Sequence, residues 1–252
     1  MHLDHVALAS RDSQAVMRVL VQELGATVTQ GAVQAGFRPV QLRMGDAERG
    51  MTVELLEPYR VGEHDFLERF LTDRGPGPHH LTFKVDDLAA ELDRIRAAGL
   101  HPTGVLLDSP RWKECFLHPA EAHGTVVQIA QGGLDAYPTF AEHLAAARAG
   151  HPYGEPVWWE DPGPRAEATV FLDRVVVTTP ALDGATAFYT EVLEGVVAAD
   201  SAHGRDVAWP GGCIRLMRDT DRAPGIARLE CSGPGPTRTI TVAGTDLVIA
   251  PR

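Results

Sequence analysis

LDHVALASRDSQAVMRVLVQELG, residues 3–25, decides the fold, because the chain returns to it at residues 172–195 as LDRVVVTTPALDGATAFYTEVLEG. Both stretches read as a short apolar strand, a polar turn and an amphipathic helix that ends near glycine. In the first, Val16, Val19, Leu20 and Leu24 share one helical face. In the second, Ala185, Phe188, Tyr189 and Leu193 hold the same offsets. A further copy, HHLTFKVDDLAAELDRIRAAGL, occupies residues 79–100. Its strand runs from His80 to Val85, Asp86 or Asp87 caps its helix, and Leu88, Leu92 and Ile95 form its buried stripe.

Strand-like runs follow each copy: FRPVQLRMG and GMTVELLEP, then KECFLHP and GTVVQIAQ, then RDVAWP and GCIRLM. The chain ends in GIARLECSGP, TRTITVAG and TDLVIAP, which read as a fourth copy without its helix. A β-α-β-β-β unit leaves one sheet face uncovered, and pairing two units curls the sheet into a cup able to hold a ligand. The predicted fold class is therefore α+β, with tandem β-α-β-β-β modules paired into cup-shaped sheets and the second pair trimmed. Residues 1–131 are expected to form a metal-binding paired-module domain and residues 168–252 a degenerate one. Residues 132–167 read as a linker, with a helical piece (AYPTFAEHLAAARAG) and a Pro/Gly/Trp-rich piece (HPYGEPVWWEDPGP). Trp158 and Trp159 in that linker are expected to pack between the halves or roof the cup.

The 252 residues carry a formal charge of −11, which argues against a nucleic-acid partner. No apolar run reaches the roughly 18 residues of a membrane span. The N-terminus lacks the basic and apolar segments of a signal peptide. Cys115, Cys213 and Cys231 are widely spaced and read as reduced, packed thiols. These features predict a cytoplasmic protein with a small-molecule substrate and allow a homodimer.

Alternation along strands selects the residues that carry chemistry. His5 and His80 hold equivalent positions in the first two modules, so their pseudo-symmetry brings them together. Glu54 lies within the apolar run Met-Thr-Val-Glu-Leu-Leu and Gln128 within Thr-Val-Val-Gln-Ile-Ala. A carboxylate and an amide buried without partners cost several kcal/mol each, on the order of 2–7 for the amide. Two imidazoles, a carboxylate and an amide oxygen suit one divalent ion: Zn, Ni, Co, Fe or Mn. Alternation sends His79 to the opposite face, in a structural part, and His118 is expected to anchor a turn. Glu54 is the one inward carboxylate that this pattern names.

The pieces LDHVAL, VELLEP, GPHHLTFKVDDLAAELDRIRAAG and FLHPAEAHGTVVQIAQ, in that order, resemble the vicinal oxygen chelate superfamily. That group includes glyoxalases, extradiol dioxygenases and bleomycin-resistance proteins. Residues 1–131 are most similar to its methylmalonyl-CoA epimerases. The resemblance implies metal ligands at His5, Glu54, His80 and Gln128. It also implies isomerase, epimerase or lyase chemistry through a metal-stabilised enolate of a small substrate with adjacent oxygens. Alternatives within its reach are an Fe(II)-dependent dioxygenase and a metal-free drug- or metabolite-binding protein. The chain departs from the epimerases twice. It has Gln128 where they carry a last-strand glutamate, and Gln41 where they carry a general base. Amides take no proton at neutral pH, which leaves Glu54 as the expected catalytic carboxylate.

In the second half His5 corresponds to Arg174, Glu54 to Arg215 and His80 to Arg228, while Gln128 maps near Val248. Arginine cannot ligate a cation. The three are expected either to face solvent or pair with acids such as Glu230, or to converge on an anion such as a carboxylate or phosphate.

Overall fold

The computed structural model describes residues 1–132, 139–149 and 159–252. The first half contains β1 (His2–Ala9), α1 (Ser13–Gln22), β2 (Thr27–Gly31), β3 (Phe37–Gly45), β4 (Gly50–Pro58) and α2 (Phe66–Arg74). It continues with β5 (Gly77–Lys84), α3 (Leu88–Ala97), β6 (Thr103–Leu106), β7 (Trp112–Leu117) and β8 (Val126–Gly132). Helix α4 (Phe140–Arg148) falls in the expected linker helix. The second half holds β9 (Phe171–Thr179), α5 (Leu182–Ala187, running into a π-helical turn at Phe188–Val192) and β10 (Val196–Ser201). After these come β11 (Gly204–Trp209), β12 (Gly212–Arg218), β13 (Gly225–Gly233), β14 (Arg238–Val242) and β15 (Thr245–Pro251).

The first sheet has eight strands in the order β2-β3-β4-β1-β5-β8-β7-β6. It is two four-stranded modules joined where β1 runs antiparallel to β5. The second sheet has seven, β10-β11-β12-β9-β13-β15-β14. It repeats the plan with the last module cut to three strands and no helix, as the repeats predict.

Helix entry follows local chemistry. Asp12 accepts from the Ala15 N–H and caps α1, and Asp87, of the two candidates, accepts from the Ala89 and Ala90 N–H groups and caps α3. The helices fill the space between the sheets. Val6, Leu8, Val53, Leu55, Leu81, Phe83, Val127 and Ile129 of the first sheet share one buried core with Val175, Val177, Ile214, Leu216 and Leu229 of the second. Trp209 on β11 joins the halves directly, its ring 5.2 Å from Phe83 on β5. Since successive strand residues alternate faces, the neighbours of these apolar residues point away from the shared core. On the first sheet that outward face carries His5, Glu54, His80 and Gln128.

Helix α2 is absent from the repeat pattern. Its Leu67 and Leu71 bury against Ala7, Ala9 and Leu56, with Phe37, Phe66 and Phe70 around them. It thereby closes one end of the outward face with apolar surface. Trp159 is buried, with the Arg38 guanidinium 4.0 Å from its ring centroid. Trp158 and most of the Pro/Gly/Trp-rich piece lie outside the described residues.

Candidate metal centre

His5, Glu54 and His80 bring one ligand atom each to within 4.8 Å of one another at the floor of a cleft of about 640 Å³. Strand pairing sets this up. β1 lies between β4 and β5, with Ala7 opposite Glu54 on one side and His80 on the other. His5, one pleat along on the same face, completes the cluster, its Nε2 3.3 Å from Glu54 Oε2.

Two β-bulges orient the imidazoles. The β1–β5 register slips by one residue at Asp4, just before His5, and again at His79, just before His80. A bulge breaks alternation and turns the extra side chain toward its neighbour's face. Asp4 Oδ2 accordingly meets His5 Nδ1 at 2.8 Å, and His79 Nδ1 meets His80 Nδ1 at 2.8 Å. His79 therefore does not point away from the site as strict alternation predicts. It supports His80, and stacks edge-on against Phe70 of α2. Both cluster histidines thus have Nδ1 occupied and Nε2 directed into the cluster.

The electrostatics favour a cation at this point. Burial alone would lower the His5 pKa, but the Glu54 charge and the hydrogen bonds that the ring donates to Asp4 and Glu54 hold it up to about 10. Asp4 is held well below the usual carboxylate range against its own burial, by His5 and Lys84. His80 goes the other way. Burial, reinforced by His79 and His5, pushes it well below the usual imidazole value, so it is neutral. The facing Nδ1 atoms of His79 and His80 share one proton; with it on His80, the Nε2 is a bare lone pair. That Nε2 is buried, makes no hydrogen bond, and lies 4.0 Å from Glu54 Oε2. A buried polar atom without a partner is costly, and here it faces a carboxylate and a second imidazole. The donor set fits a divalent ion.

Gln128 enters the same cleft from β8. Its Oε1 accepts from the Thr82 hydroxyl at 2.6 Å, and that hydroxyl lies 2.8 Å from His5 Nε2. Gln41 on β3 donates to Glu54 Oε1 at 3.0 Å. The cleft also holds a second carboxylate that the sequence pattern did not name. Glu114 on β7 accepts from Gln128 Nε2 at 2.7 Å and from the Trp112 indole at 2.8 Å. Glu114 and Phe116 face the cleft and alternate with Cys115, which is buried in the core. His118 anchors a turn as expected, its ring accepting from the Ala120 N–H.

On the second sheet, the registers place Arg174, Arg215, Arg228 and Val248 at the positions of His5, Glu54, His80 and Gln128. Asp206 stands where Gln41 does, and Glu230 where Thr82 does. The arginines converge, and on these acids. Arg215 reaches Asp206 at 2.7 and 2.9 Å and Glu230 at 3.0 Å. Arg228 reaches Glu230 at 2.8 Å, and Arg174 reaches Asp206 at 3.6 Å and Glu230 at 3.5 Å.

Comparison with known proteins agrees with this architecture. Residues 4–116 match the model of the Glyoxalase/Bleomycin resistance protein/Dioxygenase superfamily, and the first half of the chain carries a domain of that superfamily. It resembles the ethylmalonyl-CoA/methylmalonyl-CoA epimerase of Cereibacter sphaeroides, with 29% identity over 136 residues covering 51% of this chain and 96% of that protein. A hypothetical protein from Staphylococcus aureus shares the fold across both halves, with a TM-score of 0.62 at 9% identity, covering 100% of this chain and 99% of that one. A Streptomyces coelicolor methylmalonyl-CoA epimerase variant, in complex with 2-nitronate-propionyl-CoA, has 25% identity and a TM-score of 0.46, covering 53% and 95%. Among the described residues, no helix is long and apolar enough to cross a membrane.

Proposed function

We propose that this chain is a metal-dependent enzyme of the vicinal oxygen chelate type, an isomerase, epimerase or lyase that moves a proton beside a substrate carbonyl. The observation that carries the reading is the unpartnered His80 Nε2, buried and facing Glu54 and His5. His5, Glu54 and His80 would hold one divalent ion, with the Gln128 oxygen as a fourth donor. Bound there, the ion supplies Lewis acidity toward substrate oxygens.

The rest falls to the protein. Phe37, Phe66, Phe116 and Leu106 line the cleft above the cluster and shield the reacting carbon from water. Glu54 would help to hold the ion and, as the carboxylate within the cluster, receives the substrate proton. The kinship to an acyl-CoA epimerase makes methylmalonyl-CoA and ethylmalonyl-CoA the first substrates to offer.

The test joins metal analysis of the purified chain to NMR of the α-proton of methylmalonyl-CoA in D₂O. A stoichiometric ion and catalysed exchange are expected, with exchange lost in Glu54→Gln while the fold persists. Full exchange by Glu54→Gln would remove Glu54 from its role, and a metal-free chain would favour a binding protein. The set of two histidines and one carboxylate also suits Fe²⁺ oxygenases. Oxygen uptake by the iron-loaded chain would favour that second reading.

A further inference from the structure

Each module of the first sheet contributes a glutamate–glutamine pair to the cleft, in opposite order. In the first, Glu54 stands in the cluster and Gln41 donates to it from the next strand. In the second, Gln128 stands beside the cluster and Glu114, on the next strand, accepts from it. We propose that Glu114 is the positioning residue that makes Gln128 a metal ligand, by fixing which end of its amide faces the ion.

The argument is one of donors and acceptors. An amide can present either oxygen or NH₂ to a neighbour, and the Thr82 hydroxyl, able to donate or accept, does not decide between them. An ionised carboxylate can only accept. Glu114 therefore takes the NH₂ end of Gln128 and leaves its oxygen to accept from the Thr82 hydroxyl, which also lies 2.8 Å from His5 Nε2. Glu114 is itself held by the Trp112 indole N–H, which binds the same Oε2. Without Glu114 the amide is free to turn its NH₂ toward the cluster, where it would repel a cation and offer no lone pair. This places the second carboxylate one residue removed from the ion. The cluster then carries one anionic ligand, Glu54, with Gln128 supplying a neutral oxygen oriented by charge behind it.

This inference rests on the metal reading above, and cobalt binding separates the two. Co²⁺ is titrated into the full chain and followed by its visible absorption and by calorimetry, with circular dichroism to check the fold. Glu114→Ala is expected to weaken Co²⁺ binding by roughly ten- to a hundredfold, the usual cost of losing a group that orients a ligand. Glu114→Gln, whose carbonyl can still accept from Gln128, is expected to retain most of the affinity. In a Gln128→Ala background, Glu114→Ala is expected to cost nothing more, because the amide it orients is gone. An equal loss in both backgrounds would mean that Glu114 acts through its own charge and would overturn the proposal. Wild-type binding by Glu114→Ala, with an unchanged spectrum, would overturn it as well. Failure of the unsubstituted chain to take up cobalt would overturn the metal reading itself, and this proposal with it.

Discussion

Asp4 and His79 occupy the same place in the two modules, each the bulged residue immediately before a histidine of the cluster and each hydrogen-bonded to that histidine's Nδ1 at 2.8 Å. The two bulges answer one requirement. A histidine offers a metal only one nitrogen, and whatever holds the other fixes the ring. A carboxylate does this for His5 and a neutral imidazole for His80. Replacing Asp4 with Asn, or His79 with Ala, is expected to weaken zinc or cobalt binding by roughly ten- to a hundredfold while leaving the fold intact. Calorimetric titration checks this, and unchanged affinity in both variants would show that the rings are held by packing alone.

Metal binding should also appear as stability. A ligand that binds only the folded state at a hundred times its Kd adds about 2.7 kcal/mol. For a chain of this size that corresponds to a rise in Tm of roughly 5–10 °C. Melting the chelator-treated protein with and without added Zn²⁺ is expected to show that rise, and His80→Ala to abolish it. A rise that survives in His80→Ala would place the bound ion elsewhere.

Much of this site was legible in the sequence because strand alternation is a strict geometric rule. It puts His5, Glu54, His80 and Gln128 on one face, and the repeat offsets give the second-half equivalents that the registers of β9, β12, β13 and β15 then display. Alternation failed at Asp4 and His79, where a bulge inserts one residue and breaks the period. No pattern in LDHV or GPHH announces that slip. Glu114 was missed for a different reason: KECFL reads as a strand, but its facing depends on its pairing with β8. Helix α2 had a signal in the spacing of Leu67 and Leu71, four residues apart, yet it belongs to no repeat.

The second sheet inverts the charge plan of the first. The positions of His5, Glu54 and His80 hold arginine there, and those of Gln41 and Thr82 hold Asp206 and Glu230. Asp206 and Glu230 already pair with the three guanidinium groups, and their negative charge opposes an external anion. Arg215→Met should therefore destabilise the fold by about 1.5–3 kcal/mol, the range for hydrogen bonds to charged groups. It should leave metal binding in the first half unchanged. Urea unfolding measures the first and cobalt titration the second. Added phosphate is expected to leave the melting temperature of the wild type unmoved, and a clear rise would show that an anion competes for the arginines.

Trp209 packs the two halves against each other in one core. It lies on the second sheet, buried between Phe83 of the first and Tyr189 of its own helical segment, and its indole donates to the Leu193 carbonyl at 2.6 Å. Phe83 shares β5 with His80, so the core behind the candidate site is partly built from the half whose equivalent positions hold arginine. Removing the ring takes away burial and leaves a cavity that both sheets border, and Trp209→Ala is expected to cost about 3–5 kcal/mol. Because the core is continuous, urea should unfold wild type in one transition by both tryptophan fluorescence and far-UV circular dichroism. The Trp209→Ala midpoint should fall without the transition splitting. Two separate transitions in the wild type would show that the first sheet stands without its partner. A single one explains why a sheet whose equivalent positions hold arginines is kept: it supplies half of the core behind the site.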